Sequence, residues 1–145
     1  MSGPLSRRDF KLLLPALAAA AARGQDTSGD ELASKLYHHK QIPYVGDDQK
    51  KGRRFFYGTT HTGFHLEMHE TILSPGTQTH APHKHEHEEI VIVVEGTMEM
   101  YNEGKTEIAE TGSVVYFGSN QMHSSRNVGT GPLRYYVFEL RASGA

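Results

Sequence analysis

The sequence predicts an all-β domain, a small antiparallel β-barrel or jelly roll, on three observations. Short segments rich in β-branched and aromatic residues recur at intervals of about 8–12 residues, with turn residues between them. Two of these segments are apolar on both faces, which is typical of strands that have a layer on each side. The chain has 145 residues and is 37% hydrophobic, which suits one globular domain with one core.

Nine strands are expected, and residues that favour turns separate most of them. Gly46-Asp47-Asp48 follows the first strand, and Ser74-Pro75-Gly76 follows the third. Gly96 ends the fourth strand, and Asn102-Glu103-Gly104 is a hairpin signal. The predicted strands cover residues 36–45, 53–60, 65–73, 89–95, 97–101, 105–109, 113–117, 127–128 and 133–140.

Residues 89–94 and 133–140 are the two segments that are apolar on both faces. We expect one face of each strand in the interior of the domain and the other face against a second sheet or a partner subunit. A face of this kind needs a cover, so a homodimer that buries one sheet face is predicted.

The N-terminal residues are predicted to lie outside the fold. Arg7-Arg8 precedes an apolar run over residues 12–22 that ends in small residues, which is a signal-peptide layout. The run is about half the length that a membrane-spanning helix needs, so no stable membrane anchor is expected after cleavage. The predicted organisation is a signal peptide at 1–22, a flexible leader at 23–35 and the barrel at 36–145. The alternative is an ordinary N-terminal helix with a chance arginine pair.

The string Ser-Arg-Arg-Asp-Phe-Lys over residues 6–11 resembles the twin-arginine export signal of bacteria. That resemblance implies a folded protein exported to the periplasm. Charge and cysteine content limit the function further. The net charge is −2 without a basic block, and cysteine is absent. Nucleic acid is therefore not an expected partner, and disulfides, thiolate metal sites and cysteine nucleophiles are excluded.

Histidine is concentrated in one region of the chain. Seven of the ten histidines lie between His61 and His87. In an extended chain, His83, His85 and Glu89 share one face, and two imidazoles with a carboxylate suit a divalent metal. His87 has the same parity, so parity alone does not choose between His87 and Glu89.

A fourth ligand is expected from a distant part of the chain. His123 is the only histidine after residue 87, and we expect it in a loop between two strands. Its isolation makes it the natural partner of the first cluster.

These residues together resemble two motifs of the cupin family. His83, His85 and Glu89 stand at the spacing of the first motif, and His123 stands at that of the second. The framing residues of the two motifs are Gly76, Gly96, Gly112 and Asn127. The second motif departs from the family at Gly118 and Asn120, which replace Pro and Gly. Asn tolerates a positive φ, so we expect the turn to be kept.

The resemblance implies a small barrel with one metal ion inside it. His83, His85, Glu89 and His123 are the implied ligands, and two positions of an octahedral ion stay open for substrate, water or dioxygen. The implied cofactor is one divalent transition metal among Fe, Mn, Cu, Ni, Co and Zn. Glu89 is also a candidate base.

The other histidines have plainer interpretations. His87 is expected at the rim or surface. His80 is expected in a loop, and the alternative is that it supports the metal ligands or transfers protons at the mouth of the barrel. His65 and His69 are expected on a half-exposed polar face, with lining of the cavity as the alternative. Further candidates for lining the cavity are Tyr57, Met98, Met100, Phe117, Gln121, Tyr136 and Phe138, each with a core or dimer contact as the alternative.

The predicted function is that of a metal-dependent enzyme on a small, oxygen-bearing organic substrate. A dioxygenase-like reaction is the first interpretation, and a decarboxylase or isomerase is the next. The alternative is a non-catalytic periplasmic module that binds a metal or small ligand. A basic residue next to the metal would indicate an acidic substrate, and Arg126 and Arg134 are the nearest candidates. In a third interpretation the histidines are relics.

Overall fold

A computed structural model describes residues 30–142 of the chain. It contains nine β-strands, all paired antiparallel. The strands are β1 (Val45–Gly46), β2 (Lys50–Thr59), β3 (Phe64–Leu73), β4 (Glu88–Glu95), β5 (Thr97–Asn102), β6 (Lys105–Glu110), β7 (Val114–Phe117), β8 (His123–Asn127) and β9 (Leu133–Ala142). No helix in this described range is long and apolar enough to cross a membrane.

The strands form two sheets in the arrangement of a jelly roll. The larger sheet has the order β1-β2-β3-β9-β4-β7, and the smaller has the order β6-β5-β8. Side chains from both sheets form one apolar core, which includes Leu73, Val91, Met98, Phe117 and Leu133, each no more than 1% exposed. The predicted all-β, antiparallel jelly-roll fold is confirmed.

The register of the large sheet lines up its inward-facing residues in rows. Glu67 on β3 lies opposite Glu139 on β9, and Glu139 lies opposite Glu89 on β4. Two residues along each strand, His69, Val137 and Val91 form the next row. Alternate residues of a strand share a face, so these rows bring distant parts of the sequence to one cavity.

The first predicted strand, over residues 36–45, is largely absent. A 3-10 helix at His39–Gln41 occupies its centre, and only Val45 joins β1. The His38 ring accepts a hydrogen bond from the Lys40 backbone N–H, and Pro43 has no N–H to offer a sheet. These local features favour a turn over an extended strand.

The eighth strand begins four residues earlier than predicted, at His123 rather than Asn127. His123 therefore lies in a strand, and its prediction as a loop residue was wrong. The turn before it is kept, as predicted, because Asn120 adopts a positive φ of 59°. The hairpin between β5 and β6 also matches its sequence signal, with Glu103 and Gly104 both at positive φ.

Residues 30–32 lie against the edge of β2, although the sequence had assigned them to the leader. The Leu32 N–H donates to the Thr59 carbonyl at 2.8 Å, and the Thr59 N–H donates to the Asp30 carbonyl at 3.1 Å. Gly58 permits this approach, because a Cβ there would come within 2.5 Å of the Asp30 carbonyl oxygen. The predicted signal peptide at 1–22 lies outside the described residues.

A buried ion-pair network holds the outer face of the large sheet. The Glu70 side chain is fully buried and accepts hydrogen bonds from Arg53 Nε at 2.5 Å and from the Tyr44 hydroxyl at 3.0 Å. Arg134 approaches its second oxygen at 3.7 Å. Tyr44 and Arg53 also stack, with 4.4 Å between the guanidinium carbon and the ring centroid. The segment before β1 is thus fastened to the sheet.

Candidate metal centre

Backbone hydrogen bonds bring together two of the predicted ligands, His83 and His123, which are far apart in the sequence. The His83 N–H donates to the His123 carbonyl at 3.1 Å, and the His123 N–H donates to the His83 carbonyl at 2.8 Å. This reciprocal pair fixes the two Cα positions next to one another. The isolated histidine late in the sequence therefore lies beside the early cluster, as predicted.

Neighbouring carbonyl groups orient the histidine rings. His123 Nδ1 lies 2.8 Å from the Gln121 carbonyl oxygen, and His85 Nδ1 lies 2.9 Å from the His87 carbonyl oxygen. Each carbonyl accepts a hydrogen bond from the Nδ1–H of its ring, which leaves the Nε2 lone pair for another partner. The Asn120 N–H donates to the His85 carbonyl at 2.7 Å, so the turn at Asn120 also fixes His85.

The three rings converge on one point. Ring centroids are 5.1 Å apart for His83 and His85, and 4.7 Å apart for His123 with each of them. One ligand nitrogen from each residue lies within 4.8 Å of the other two. His83 Nδ1 and His123 Nε2 are buried without a hydrogen-bond partner in the described chain. Buried polar atoms of this kind need a partner, and a divalent metal fits this nitrogen set.

Glu89 supplies the carboxylate beside these rings. Its Oε1 lies 2.9 Å from His85 Nε2, and its Oε2 lies 3.5 Å from His123 Nε2. Burial would raise the pKa of Glu89, but contacts with His123 and His87 outweigh burial and hold the pKa well below its usual range. Glu89 is therefore ionised, as a metal ligand has to be.

His87 lies closer to the site than a surface residue would. Its ring stacks on His85 with centroids 3.4 Å apart, and its Nε2 lies 3.6 Å from Glu89 Oε1 and 3.3 Å from Glu139 Oε2. His85, His87 and Glu89 form a second cluster with ligand geometry. The structure thus brings together all four predicted ligand residues and adds His87 at their side.

A third group of residues that could hold a metal ion lies next to the first two. It consists of Glu67, His69 and Glu139. His69 Nδ1 lies 3.1 Å from Glu67 Oε1, and Arg54 Nε lies 3.1 Å from the same oxygen. Burial, followed by the charge of Glu67, raises the pKa of Glu139. The polar face of β3 is consequently turned inward at His69, which lines the cavity, as the alternative interpretation had it. His65 is partly exposed and is not in the described lining.

Part of these groups lines a cavity of about 140 Å³. Of the four predicted ligands, His123 and Glu89 are in its lining and His83 and His85 are not, and Val91, Val137 and Tyr135 form an apolar wall. The remaining lining residues are polar, and they are Lys50, His69, Thr71, Thr79, His80, Ser124, Ser125 and Glu139. The volume is close to the roughly 150 Å³ of a cavity that accommodates benzene, so the site suits a small ligand.

Several predicted lining residues are located elsewhere. Met98 and Phe117 belong to the core, and Arg126 is exposed on β8. Arg134 pairs with Glu70 and Glu95. All seven candidates for lining the cavity are absent from the described lining, namely Tyr57, Met98, Met100, Phe117, Gln121, Tyr136 and Phe138.

His80 and Lys50 are cavity residues that sequence reasoning did not assign, since a role near the site was only the alternative for His80 and Lys50 was not considered. The His80 ring lies 4.0 Å from the His83 ring, and burial, with the nearby charge of His83, lowers its pKa to about 4. Lys50 lies opposite Leu73, an inward-facing core residue, in the register of β2 and β3. Strand parity with Leu73 was the signal that would have indicated Lys50.

The fold and the histidine cluster define a small, single-domain jelly roll with a nitrogen- and carboxylate-rich site of the kind that holds a divalent metal. Residues 69–139 match the family model described as "Cupin domain". This match and the structural neighbours support a small cupin domain. No curated protein sequence matches the chain significantly.

Solved structures with the same fold include three bacterial proteins of low sequence identity. An RmlC-like cupin from Shewanella frigidimarina is 13% identical, with a TM-score of 0.64 over 77% of this chain and 95% of its own. KdgF from Halomonas sp. is 18% identical, with a TM-score of 0.64 over 75% and 96%. The polyketide cyclase RemF from Streptomyces resistomycificus is 19% identical, with a TM-score of 0.59 over 76% and 85%. At these identities the likeness shows the fold alone.

Proposed function

We propose that this protein is a metal-dependent cupin enzyme that acts on a small, oxygen-bearing organic substrate. One observation carries the proposal. Three histidine rings, two of them oriented by backbone carbonyls, converge beside an ionised Glu89, and His123 and Glu89 line a cavity of about 140 Å³. A relic site would not keep His83 Nδ1 and His123 Nε2 buried without a hydrogen-bond partner among the described residues.

The residues of the site have separate roles in the proposed reaction. His83, His85, His123 and Glu89 would hold the ion, which supplies Lewis acidity toward a substrate oxygen. The apolar wall, which includes Val91 and Val137, excludes water from one side of the substrate. Because the pKa of Glu139 is raised, its carboxyl can carry a proton and donate it at the cavity. Glu89 is assigned to the metal rather than to a base role, because its low pKa makes it a weak base.

Neighbouring structures add limited support. Their printed names include a polyketide cyclase and a sugar phosphate isomerase from Silicibacter pomeroyi, the latter 18% identical with a TM-score of 0.61 over 74% of this chain. Enzymes therefore occur among proteins of this fold. We place the reaction first among oxidative, dioxygenase-like reactions and next among decarboxylations and isomerisations.

Reconstitution with single metals tests the proposal. Protein loaded separately with Fe²⁺, Mn²⁺, Ni²⁺, Co²⁺, Cu²⁺ or Zn²⁺ would be incubated with small hydroxy acids, keto acids and diols. Oxygen uptake and product formation by NMR are the two readouts. We expect at least one metal to support turnover, and we expect the His123→Ala variant to lose it. Oxygen uptake would identify an oxidative reaction, and product without uptake would identify a non-oxidative one.

The matched control is His61→Ala, because the His61 side chain is 91% exposed and pairs only with Glu31 among the described residues. This variant should keep full turnover. Ligand binding without turnover by any metal-loaded form would contradict the enzyme and favour the non-catalytic binding module.

We also propose that the protein is a homodimer. Val114 and Tyr116 are 63% and 56% exposed on β7, which is an edge strand, and Ile90 lies beside Tyr116 on β4. Exposed apolar groups at a sheet edge favour association. Light scattering should give twice the mass of the chain, and Tyr116→Lys should shift it to the monomer mass. A monomeric wild type would contradict the proposal.

Export to the periplasm by the twin-arginine route remains a proposal from residues 1–22. Cell fractionation of the full chain beside an Arg7→Lys, Arg8→Lys variant tests it. Retention of the variant in the cytoplasm, with the wild type in the periplasm, is the supporting result.

A further inference from the structure

Lys50 is the only lysine or arginine that lines the described cavity. Its Nζ donates to the Thr79 carbonyl at 2.6 Å, which holds the ammonium group in place. Within residues 30–142, no carboxylate lies at ion-pair distance from it. Asp47, three residues before Lys50 in the sequence, uses Oδ1 to accept hydrogen bonds from the backbone N–H groups of Gln49 and Lys50.

Other cations on the same strand have partners. Arg53 pairs with Glu70, and Arg54 pairs with Glu67. The Lys51 ammonium lies 5.6 Å from the centroid of the Tyr44 ring. Lys50 is itself exposed, and it differs from these neighbours in lining the cavity without a carboxylate partner among residues 30–142.

The cavity is electrostatically asymmetric. Glu139 and His69 lie at one end, in and beside the row of inward carboxylates. Lys50 lies opposite Leu73, six residues farther along β3 than Glu67, which is about 20 Å at the level of the backbone. An anionic group is therefore attracted at the Lys50 end, where the one lysine of the described lining lies.

We propose that Lys50 binds a carboxylate of the substrate, so that the substrate is a small organic acid that also carries oxygen donors for the metal. This inference rests on the proposed metal-dependent function. A carboxylate fits better than a phosphate, because one lysine neutralises a single charge and the cavity of about 140 Å³ leaves little room for a phosphorylated sugar.

Paired hydroxamates test this inference without knowledge of the natural substrate. Acetohydroxamate is neutral and has a metal-binding end only, whereas succinohydroxamate adds a carboxylate at the far end. Both would be titrated into Co²⁺-loaded protein, with the visible spectrum of the ion as the readout. We expect succinohydroxamate to bind about tenfold more tightly, as expected for one partly exposed charge-assisted contact.

The Lys50→Met variant should reduce this advantage to less than about twofold while its affinity for acetohydroxamate stays unchanged. Lys51→Met is the matched control, because it removes the same charge one residue away at Tyr44. This variant should keep the tenfold advantage.

Equal affinities in the wild type, or an advantage that survives in Lys50→Met, would overturn the proposal. Tighter binding of phosphonoacetohydroxamate than of succinohydroxamate would overturn the assignment of a carboxylate. Failure of the wild type to bind Co²⁺ has a different signature, an absent visible spectrum, and would contradict the metal site together with this inference.

Discussion

Replacing His123 by alanine should abolish metal binding. The ring is 2% exposed, its Nδ1 is held by the Gln121 carbonyl and its Nε2 faces Glu89. Removal of a directly ligating, pre-oriented nitrogen should lower metal affinity by more than about 100-fold, beyond the range seen when an outer-shell partner is removed. Competition with a chromophoric chelator and elemental analysis after dialysis measure this loss.

His61→Ala is again the matched control and should retain a full equivalent of metal. The ligands also connect the β4 segment of the large sheet with β8 of the small sheet, so the ion should stabilise the fold. Wild-type protein should melt at a higher temperature with metal than with a chelator, and His123→Ala should show no difference. Near-stoichiometric metal in dialysed His123→Ala would contradict the assigned ligand set.

Replacing Arg53 by methionine should destabilise the fold by about 3 kcal/mol. The Glu70 side chain is fully buried, and the Arg53 side chain is 10% exposed. Methionine leaves the Glu70 charge in the protein without its closest partner, and Arg134 at 3.7 Å replaces only part of the interaction. Urea unfolding of the metal-free protein measures the loss, which corresponds to a fall in the melting temperature on the order of 10 °C.

The double variant Arg53→Met, Glu70→Leu distinguishes an unpaired charge from lost packing. Replacing both partners by apolar groups of similar size should restore much of the stability. Arg126→Met, on the exposed face of β8, serves as the control and should change stability by less than about 0.5 kcal/mol. If the double variant is as unstable as Arg53→Met, packing around the guanidinium rather than charge is responsible.

The proposed ligand residues could be selected from the sequence because their signal is local or well separated from any alternative. His83, His85 and Glu89 have the same parity in an extended chain, and His123 is the only histidine after residue 87. In the structure His83 and His85 precede β4, and backbone hydrogen bonds between His83 and His123 place the late histidine beside them. His87 was placed at the rim because the distance between the stacked His85 and His87 rings depends on how the chain bends at residues 86–88, which spacing does not specify.

The polar lining was misread because β3 turns its polar face toward the interior, whereas the polar face of a strand usually points to solvent. Glu67, His69 and Thr71 face the cavity, whereas Leu66, Met68 and Ile72 face outward and are partly buried. Alternation in the sequence reveals that a strand has two different faces. It does not reveal which face meets the interior when that interior is itself polar. Lys50 was missed for a related reason. It reaches the cavity because β2 pairs with β3, where Lys50 lies opposite Leu73, a residue 23 positions later in the sequence.

If the proposed signal peptide is removed, the contact of residues 30–32 with β2 would set a downstream limit on that cleavage. A peptidase that cuts before Asp30 leaves both hydrogen bonds to Thr59 intact, whereas a cut after Leu32 removes them. The same cut would uncover Gly58, a residue that is buried beneath this segment, and would expose backbone groups at a strand edge, where they invite pairing with other chains. Residues 30–32 would therefore both limit trimming of the N-terminus and protect the edge of β2 against aggregation.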